Sequence, residues 1–368
     1  MTQRQQRGQW TSAVTGKPVK RPSNHRPLLN TGSAFKPHGT GSKRQRQRAL
    51  ALARRRRKLR RWLLIGTPIA VVVIGLGVTG IILASQPPSV AVTGQFGKAP
   101  KVTIPTIKPP GTLQATDLIQ GHGARVARGD LAVVNLVGYS WSGDKHKQII
   151  NSFSNGQPTG LPVGQTIPGL DKSLAGQHVG SRLLLSIPPK DGFGSSGNRQ
   201  LGVTGSDTLL FVVDVLGGYP KTAAAHGQLQ PAGDPKLPSV SEPAAGVAPP
   251  VKIPNTSPPG TLQAKTLIQG TGPQVTKGKL LVAQYEGVLW RTGKAFDASW
   301  QHGAPVAFPI GSGKVIPGWD KGLVGQRVGS QVLLVIPPSD GYGKQGNSQA
   351  GIKGTDTLVF VIDILGTY

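Results

Sequence analysis

The pattern of apolar and polar positions divides the chain into three parts. Residues 62–84 form a run of 23 residues without a charged side chain, and a polar segment of 61 residues precedes it. Beyond it, short runs rich in Val, Ile and Leu alternate with turns rich in Gly, Pro and Asp, which is the pattern of β-strands. The clearest runs are 280–285, 331–336 and 357–365. We therefore expect a sheet-rich region that follows an apolar segment.

One short helix is expected beside these strands. It begins near Pro317, because proline is favoured at the first helical position, and ends near Gly325. A sheet packed on one helix is an α+β domain. The 52 Gly and 32 Pro of the 368 residues agree with short strands and turns and exclude a helical bundle. The absence of Cys excludes disulfides, thiolate metal sites and a Cys nucleophile.

An internal repeat organises the sheet-rich region. The segment PPGTLQA occurs at 109–115 and again at 258–264, a spacing of 149 residues. TIPGLDKSLAGQHVGS at 166–181 matches VIPGWDKGLVGQRVGS at 315–330 at 11 of 16 positions. Two copies with so long a period indicate two complete domains rather than a solenoid. The predicted parts are a basic tail at 1–61, a membrane helix at 62–84, a Pro-rich linker at 85–108, a first domain at 109–219, a Pro/Ala-rich linker at 220–257 and a second domain at 258–368.

Positive charge is concentrated in the tail. Of the 42 Lys and Arg residues, 18 lie in residues 1–61, and the first acidic residue is Asp117. A segment this polar cannot bury enough apolar surface to fold, so we expect it to be disordered. A nucleic-acid role for the tail is not favoured, because Trp10 and Phe35 are its only aromatic residues.

The apolar run at 62–84 predicts a single membrane-spanning helix. At 1.5 Å per residue, 23 residues give a helix of about 35 Å, enough to cross a hydrocarbon core of about 30 Å. A cleaved signal peptide is the alternative, but its charged region is normally short and its apolar core has 7–15 residues. The basic residues before the span place the tail in the cytoplasm and the two domains outside the cell membrane.

The second copy resembles the FKBP-type peptidyl-prolyl cis-trans isomerases. The resemblance covers 260–366 and rests on GKAFDASW at 293–300, KVIPGWDKGLVGQRVG at 314–329, IPPSDGYG at 336–343 and TDTLVFVIDIL at 355–365. It implies two FKBP-like domains, each a bent antiparallel sheet wrapped around one short helix. It also implies proline-containing polypeptides as substrates and a macrolide of the rapamycin type as a candidate ligand.

The resemblance implies a pocket in the second copy, with Trp319 as its floor. One position departs from the family, since Val306 replaces an aromatic residue and widens one wall. The Ile316 backbone N–H and the Tyr342 hydroxyl are the implied donors toward substrate carbonyls, and Asp297 supplies a polar wall. The implied catalytic residues are Tyr285, Phe296, Asp297, Phe308, Val315, Ile316, Trp319, Tyr342, Ile352 and Phe360.

Rotation about an X–Pro bond requires no covalent chemistry. Amide resonance makes the barrier, and a dry apolar pocket favours the twisted amide because that form has lost part of its charge separation. We therefore expect no metal and no cofactor, and no histidine in the pocket.

The first copy keeps the frame but loses the pocket. Ile167 and Phe211 stand where the second copy has Ile316 and Phe360, whereas the large aromatic and polar groups are replaced. We expect a folded domain with weak or no isomerase activity. The replacing residues are Leu136, Ile149, Ile150, Leu161, Thr166, Leu170 and Phe193.

Two functions follow. The first is a membrane-anchored prolyl isomerase that assists the folding of exported proteins, with catalysis in the second domain. The alternative is a non-enzymatic, membrane-tethered chaperone or adaptor that uses both domains for binding.

Overall fold

The structure is a computed structural model that describes residues 89–154, 156–231, 234–242 and 245–368. The predicted basic tail and the predicted span at 62–84 lie outside the described residues. Within these ranges, no helix combines the length and the apolar character needed to cross a bilayer. The described residues form two antiparallel-sheet domains with few helices, which confirms the prediction of two α+β domains.

The first domain is a six-stranded sheet with one helix and a preceding hairpin. The hairpin pairs β1 (Ala91–Thr93) with β2 (Lys101–Thr103). The remaining elements are β3 (Gln114–Ile119), β4 (Leu131–Ser142), β5 (Lys145–Asn151), β6 (Thr159–Pro162), α1 (Pro168–Leu174), β7 (Arg182–Ile187) and β8 (Thr208–Tyr219). All pairs are antiparallel, in the order β3-β7-β8-β4-β5, with β6 also on β4.

The second domain repeats this topology with additions. Its elements are β9 (Gln228–Leu229), β10 (Ser239–Val240), β11 (Val251–Lys252), β12 (Gln263–Gln269), β13 (Leu280–Leu289), β14 (Ala295–Ala298), α2 (Ser299–His302), β15 (Val306–Pro309), α3 (Pro317–Leu323), β16 (Gln331–Ile336) and β17 (Leu358–Thr367). The sheet order is β14-β13-β17-β16-β12-β9, and β15 pairs with β13. Short 3-10 turns lie at Pro189–Asp191, Gly194–Ser196, Pro338–Asp340, Gly343–Gln345 and Ser348–Ala350.

Both faces of the second sheet are covered, and alternation along the strands explains how. Leu334 and Ile362 pack with Leu323 of α3 on the concave face. Their chain neighbours Leu333 and Val361 belong to a separate cluster on the opposite face. Successive side chains on a strand point to opposite faces, so a continuous apolar run fills two cores.

The segments expected to be linkers contain strands that cover the convex faces. Residues 85–108 include β1 and β2, and Val102 packs against Trp141 of the first sheet. Residues 220–257 include β10 and β11, and Val240 and Val251 pack against the second sheet. Their proline content suits edge hairpins, where few backbone N–H groups need a partner. Each Pro-rich segment is therefore in part a layer of the domain that follows it.

A buried ion pair fastens the first hairpin to its sheet. Arg182 Nε donates to Asp214 Oδ1 at 2.6 Å, and both side chains are almost fully buried. The same guanidinium donates to the carbonyls of Gly94 and Lys98, each at 2.8 Å. The Gly97 amide donates to Asp214 Oδ2 at 2.7 Å. Three backbone groups of the hairpin thus bind the two buried charges, in addition to the contact between the charges themselves.

The two domains meet through equivalent surfaces. Leu131 and Val133 of β4 cluster with Leu280 and Val282 of β13, their counterparts 149 residues later. Tyr219 and Tyr368 are also one repeat apart, and their hydroxyl groups lie 2.7 Å from each other. Contact between equivalent residues is the mark of an isologous interface, which here relates two halves of one chain.

Candidate active site

In the second domain, three aromatic rings pack against the indole of Trp319, and a fourth packs against one of those three. Ring centroids of Trp319 lie 5.0 Å from Phe308, 5.1 Å from Phe360 and 5.3 Å from Tyr285. Phe296 extends the group, with its centroid 5.5 Å from that of Phe360. The ring planes of three of these pairs meet at 77–89°, which is the edge-to-face packing that the aromatic quadrupole favours, and those of Phe308 and Trp319 are tilted at 54°. These rings form an apolar box whose walls come from four different elements.

The start of α3 sets the position of Trp319. Pro317 begins the helix after Ile316, which has an extended backbone at φ −62° and ψ 146°. Gly318 lets the helix lie close to the sheet, because a Cβ there would be 2.6 Å from Ile336 Cγ2. Trp319 therefore sits against the core with 7% of its surface exposed. Its ring is held by the packing of a short, proline-initiated helix on β16.

The remaining apolar residues implied by the sequence lie around this box. Val315, Ile316 and Tyr342 are half-buried against the same cluster, and Ile352 is buried within it. Asn347 and Ile352 form an antiparallel bridge, in which the amide of each residue donates to the carbonyl of the other. The structure thus brings all nine apolar and aromatic residues of the predicted set together.

The tenth residue, Asp297, forms a hydrogen-bonded pair with Tyr285 at the edge of the box. The Tyr285 hydroxyl donates to Asp297 Oδ2 at 2.5 Å. Burial, and then the adjacent Asp297 carboxylate, raise the pKa of Tyr285 well above its ordinary value. The tyrosine hydroxyl therefore stays protonated, and it remains a hydrogen-bond donor to the carboxylate.

A largely exposed histidine lies beside Asp297, at the outer edge of the predicted set. His302 Nε2 lies 2.7 Å from the second oxygen of Asp297, and the two form an ion pair when the imidazole is protonated. His302 ends α2, a one-turn helix that the sequence did not predict. The signal available in the sequence was weak, since a His five residues after an Asp is common. Only the turn of α2 brings the ring back over Asp297.

A serine behind the strand keeps Tyr285 in register. Ser299 Oγ accepts a hydrogen bond from the Tyr285 amide at 2.9 Å and donates to the Gln284 amide oxygen. The first domain has the same arrangement, with Ser152 Oγ accepting from the Leu136 amide at 2.8 Å. The sequence analysis did not predict these serine hydrogen bonds. Because both domains have them, they stabilise the shared fold rather than the pocket.

A buried carboxyl also lies next to the site. Glu286 follows Tyr285 on β13, is 8% exposed, and its Oε2 is buried without a hydrogen-bond partner in the described residues. Burial, with a smaller contribution from Asp297, raises the pKa of Glu286 to about 7. Val137 holds the equivalent place on β4. Glu286 is thus a feature of the second domain alone.

The corresponding place in the first domain is filled by aliphatic packing. Leu136, Leu161 and Leu170 each have 2% of their surface exposed and join one continuous core. Thr166 Oγ1 donates to Asp171 Oδ1 at 2.6 Å, so its hydroxyl is already used. The first domain therefore has a core where the second has an aromatic box.

No group of three His, Asp or Glu side chains within the described ranges could hold a metal ion. The groups that this site presents are aromatic surface, one hydrogen-bonded carboxylate and backbone or hydroxyl donors. Such a site can bind an apolar ring and orient an adjacent carbonyl.

Comparison with known proteins gives the same picture for both copies. The family model described as FKBP-type peptidyl-prolyl cis-trans isomerase matches residues 123–216 and 272–365, together just over half of the chain. An FK506-binding protein from Streptomyces anulatus is 40% identical over 117 residues, which are 32% of this chain and 94% of that protein.

A longer relative and a solved structure are also similar to parts of this chain. Peptidyl-prolyl cis-trans isomerase FKBP9 from Bos taurus is 29% identical over 207 residues, 56% of this chain but 29% of its own length. The crystal structure of AtFKBP13 shares 36% sequence identity over 29% of this chain and 93% of that one, with a TM-score of 0.27. With two matches to the family model, this chain belongs to the FKBP-type peptidyl-prolyl cis-trans isomerases and is an enzyme of that type.

Proposed function

We propose that the second domain carries the isomerase activity and that it assists the folding of exported proteins. One observation supports this assignment above the others: the aromatic box around Trp319, with its Tyr285–Asp297 pair, occurs in the second domain, whereas leucines fill the same place in the first. Pure scaffolding would need neither the box nor the carboxylate.

The pocket accelerates rotation by binding the twisted amide better than the planar one. The barrier to rotation about an X–Pro bond is about 18–20 kcal/mol and arises from resonance that separates charge between O and N. The prolyl ring lies on Trp319, between Phe308 and Phe360. Outside water, the planar, charge-separated amide loses solvation, whereas the twisted amide loses less. Interactions that are stronger in the transition state than in the ground state lower the barrier.

The experiment is X–Pro exchange in a short peptide, followed by NMR with the full chain. Trp319→Leu, which copies Leu170, should lower the exchange rate by about tenfold to a hundredfold, since it removes the floor of the box. The matched control is Leu170→Ile, a change of the same position in the first domain, which should leave the rate unchanged. Equal activity in Trp319→Leu and the parent chain would contradict the assignment.

Tyr342 gives a second, milder comparison. Tyr342→Phe removes one hydroxyl and copies Phe193 of the first domain. If the hydroxyl donates to a substrate carbonyl, exchange should slow by about fivefold, the value of one neutral hydrogen bond. The reciprocal change, Phe193→Tyr, should confer no activity on a domain whose floor is packed with leucine.

We also propose that the chain is anchored in the cell membrane with both domains outside. The support is the uncharged run at 62–84 directly after seven Lys and Arg residues within 54–61. Because the chain has no Cys, single cysteines can report topology. Leu229→Cys, at a position 77% exposed, should react with an impermeant maleimide on intact cells, whereas Ser12→Cys should react only after lysis. The reverse pattern would contradict this orientation.

Binding of a rapamycin-type macrolide is a related proposal. The support is similarity to a protein named FK506-binding protein, together with the aromatic box. Val306 leaves one wall without a ring, so we expect binding weaker than that of a chain with Val306→Phe. Titration calorimetry on both chains measures the difference.

A tethered chaperone or adaptor is the second candidate. The aliphatic core of the first domain favours it for that half of the chain, because a domain without the aromatic box can still bind or space other proteins. A well-folded full chain that gives no X–Pro exchange would favour this function for the whole protein.

A further inference from the structure

The wall of the aromatic box that carries Phe308 lies directly against the first domain. Phe308 and Ala307 are neighbours on β15, and alternation places their side chains on opposite sides. The Phe308 ring packs on Trp319, and Ala307 belongs to the cluster between the domains. A Cβ added to Gly160 of β6 would lie 2.7 Å from Ala307 Cβ, so the two edge strands are in close contact.

A second contact reaches the polar edge of the site. Gln165 Nε2 of the first domain donates to the His302 carbonyl at 3.1 Å. His302 is the last residue of α2, and the chain leaves the helix through Gly303 in the left-handed region at φ 82°. The last carbonyls of a helix have no intrahelical donor, so a side chain from outside can fix them.

From His302 the contacts continue into the box. Its imidazole meets Asp297 at 2.7 Å, and Asp297 accepts from the Tyr285 hydroxyl at 2.5 Å. Tyr285 packs edge-on against Trp319. Four contacts therefore join a side chain of the first domain to the floor of the pocket in the second.

The apolar interface between the domains holds the exposed hydrogen bond from Gln165 to the His302 carbonyl in one orientation. Leu131, Val133, Leu280 and Val282 are buried between the domains, and the Tyr219–Tyr368 hydroxyl pair lies beside them. A single exposed hydrogen bond between freely moving bodies orients little. Between domains held by a packed core, the Gln165 side chain presents its donor at a fixed place.

We propose that the first domain is a positioning element for the active site of the second. Gly160 supports the strand that carries Phe308, and Gln165 fixes the end of α2 so that His302 holds Asp297 toward Tyr285. The proposal rests on catalysis by the second domain. It assigns a role to a domain whose own pocket is closed, and it makes Gln165 and His302 positioning residues rather than catalytic ones.

The test uses the full chain and a matched pair of glutamines. Gln157 Nε2 also donates across the interface, to the Gly278 carbonyl at 3.2 Å, but Gly278 lies in the turn before β13, and its amide donates to the Ile310 carbonyl rather than to α2 or Asp297. Gln165→Met keeps the length of the side chain and removes the donor, and Gln157→Met does the same at the control site. We expect kcat to fall about threefold in Gln165→Met with KM unchanged, and both to stay unchanged in Gln157→Met.

A double-mutant cycle shows whether Gln165 acts through His302. His302→Ala should lower kcat, and adding Gln165→Met to it should lower kcat no further, because the route to Asp297 has already been removed. Additive losses would overturn the proposal, as would an equal loss in Gln157→Met. If Gln165→Met merely impaired folding, it would lower activity in the parent chain and in His302→Ala alike. The losses would then be additive, which is the outcome that contradicts the proposal.

A signal independent of activity separates this proposal from the proposed function. In protein labelled with ¹³C at His Cε1, the His302 resonance, assigned by its absence in His302→Ala, should shift in Gln165→Met and not in Gln157→Met. A parent chain without isomerase activity would contradict the proposed function, whereas the shift would still show that Gln165 positions His302. An unshifted resonance overturns the positioning role even if the enzyme is active.

Discussion

The two domains have the same strands in the same order but different interiors. At equivalent places, Leu170 closes a core in the first and Trp319 floors an aromatic box in the second. Ser152 and Ser299 support the equivalent strand in the same way in both. The groups that hold the frame together are therefore separate from those that make the pocket. One set can be kept while the other is lost.

The convex faces of the two sheets also differ, and there the first domain has the more strongly charged groups. In the first domain Arg182 and Asp214 form a buried ion pair that reaches the hairpin backbone, whereas the second pairs neutral Gln331 with Asp363 at 2.8 Å. Asp363 also accepts from the Ala225 amide, and burial raises its pKa. The domain without the aromatic box thus carries the more demanding structural charge pair.

The largest effect should come from breaking that charge pair. Arg182→Leu leaves Asp214 buried without a cation and releases the Gly94 and Lys98 carbonyls. Loss of one member of a buried pair costs about 3–5 kcal/mol of unfolding free energy. The equivalent change, Gln331→Leu, removes a hydrogen bond to a carboxyl and should cost about 1–3 kcal/mol. Urea unfolding of the full chain followed by circular dichroism measures both, and equal costs would contradict the distinction between the domains.

Removal of the Tyr285 hydroxyl should have the next largest effect. Tyr285→Phe keeps the ring against Trp319 but takes the donor from Asp297. A hydrogen bond to a charged group contributes about 1.5–3 kcal/mol, so exchange should slow by roughly tenfold or more if the pair acts on the transition state. Leu136→Phe in the first domain is the matched control. Unchanged exchange in Tyr285→Phe would mean that the rings alone carry catalysis.

A third prediction concerns pH. The pKa of Glu286 is raised to about 7 in the folded chain, above its unfolded value, so the folded state binds the extra proton. Its contribution to the free energy of unfolding is therefore most favourable below about pH 4 and declines as the pH rises to about 7. Glu286→Gln cannot ionise and should be more stable than the parent chain at pH 8 by about 1–2 kcal/mol.

That advantage should shrink as the pH falls toward 4, where the parent carboxyl is protonated in both states. Thermal unfolding at pH 4, 6 and 8 tests the trend. A constant difference between the two chains would show that Glu286 is not the titrating group. Val137 makes the first domain insensitive at this position.

The smallest effect is expected at the domain interface. Tyr219→Phe and Tyr368→Phe each remove one hydroxyl from a mutual hydrogen bond and should each cost about 0.5–1 kcal/mol. The double variant should cost less than the sum, because neither hydroxyl is then left without its partner. Urea unfolding of the four chains gives the coupling, and strict additivity would mean that the hydroxyl groups do not interact in solution.

The sequence predicted the sheet, the helix at Pro317 and the grouping of the nine apolar and aromatic residues around Trp319. The sheet and the helix follow from local patterns, namely the runs of Val, Ile and Leu and the proline that starts α3, whereas the grouping of the nine residues was implied by the resemblance to the FKBP family. The His302 contact could not be predicted, because it depends on a one-turn helix with little intrinsic propensity. The strands in the Pro-rich segments were also missed, because β10 and β11 are two residues each and form only against the sheet.

The isologous contact between the domains also bears on how such a chain can arise. A surface that matches its own copy could also pair two separate molecules, so the arrangement has the geometry of a homodimer within one chain. Tethering raises the effective concentration of the partner surface and removes the need for identical subunits. The sequences of the two halves can then diverge without loss of the contact between them. One half can then replace the residues of its interior and keep its contact surface, while the other half keeps its aromatic box.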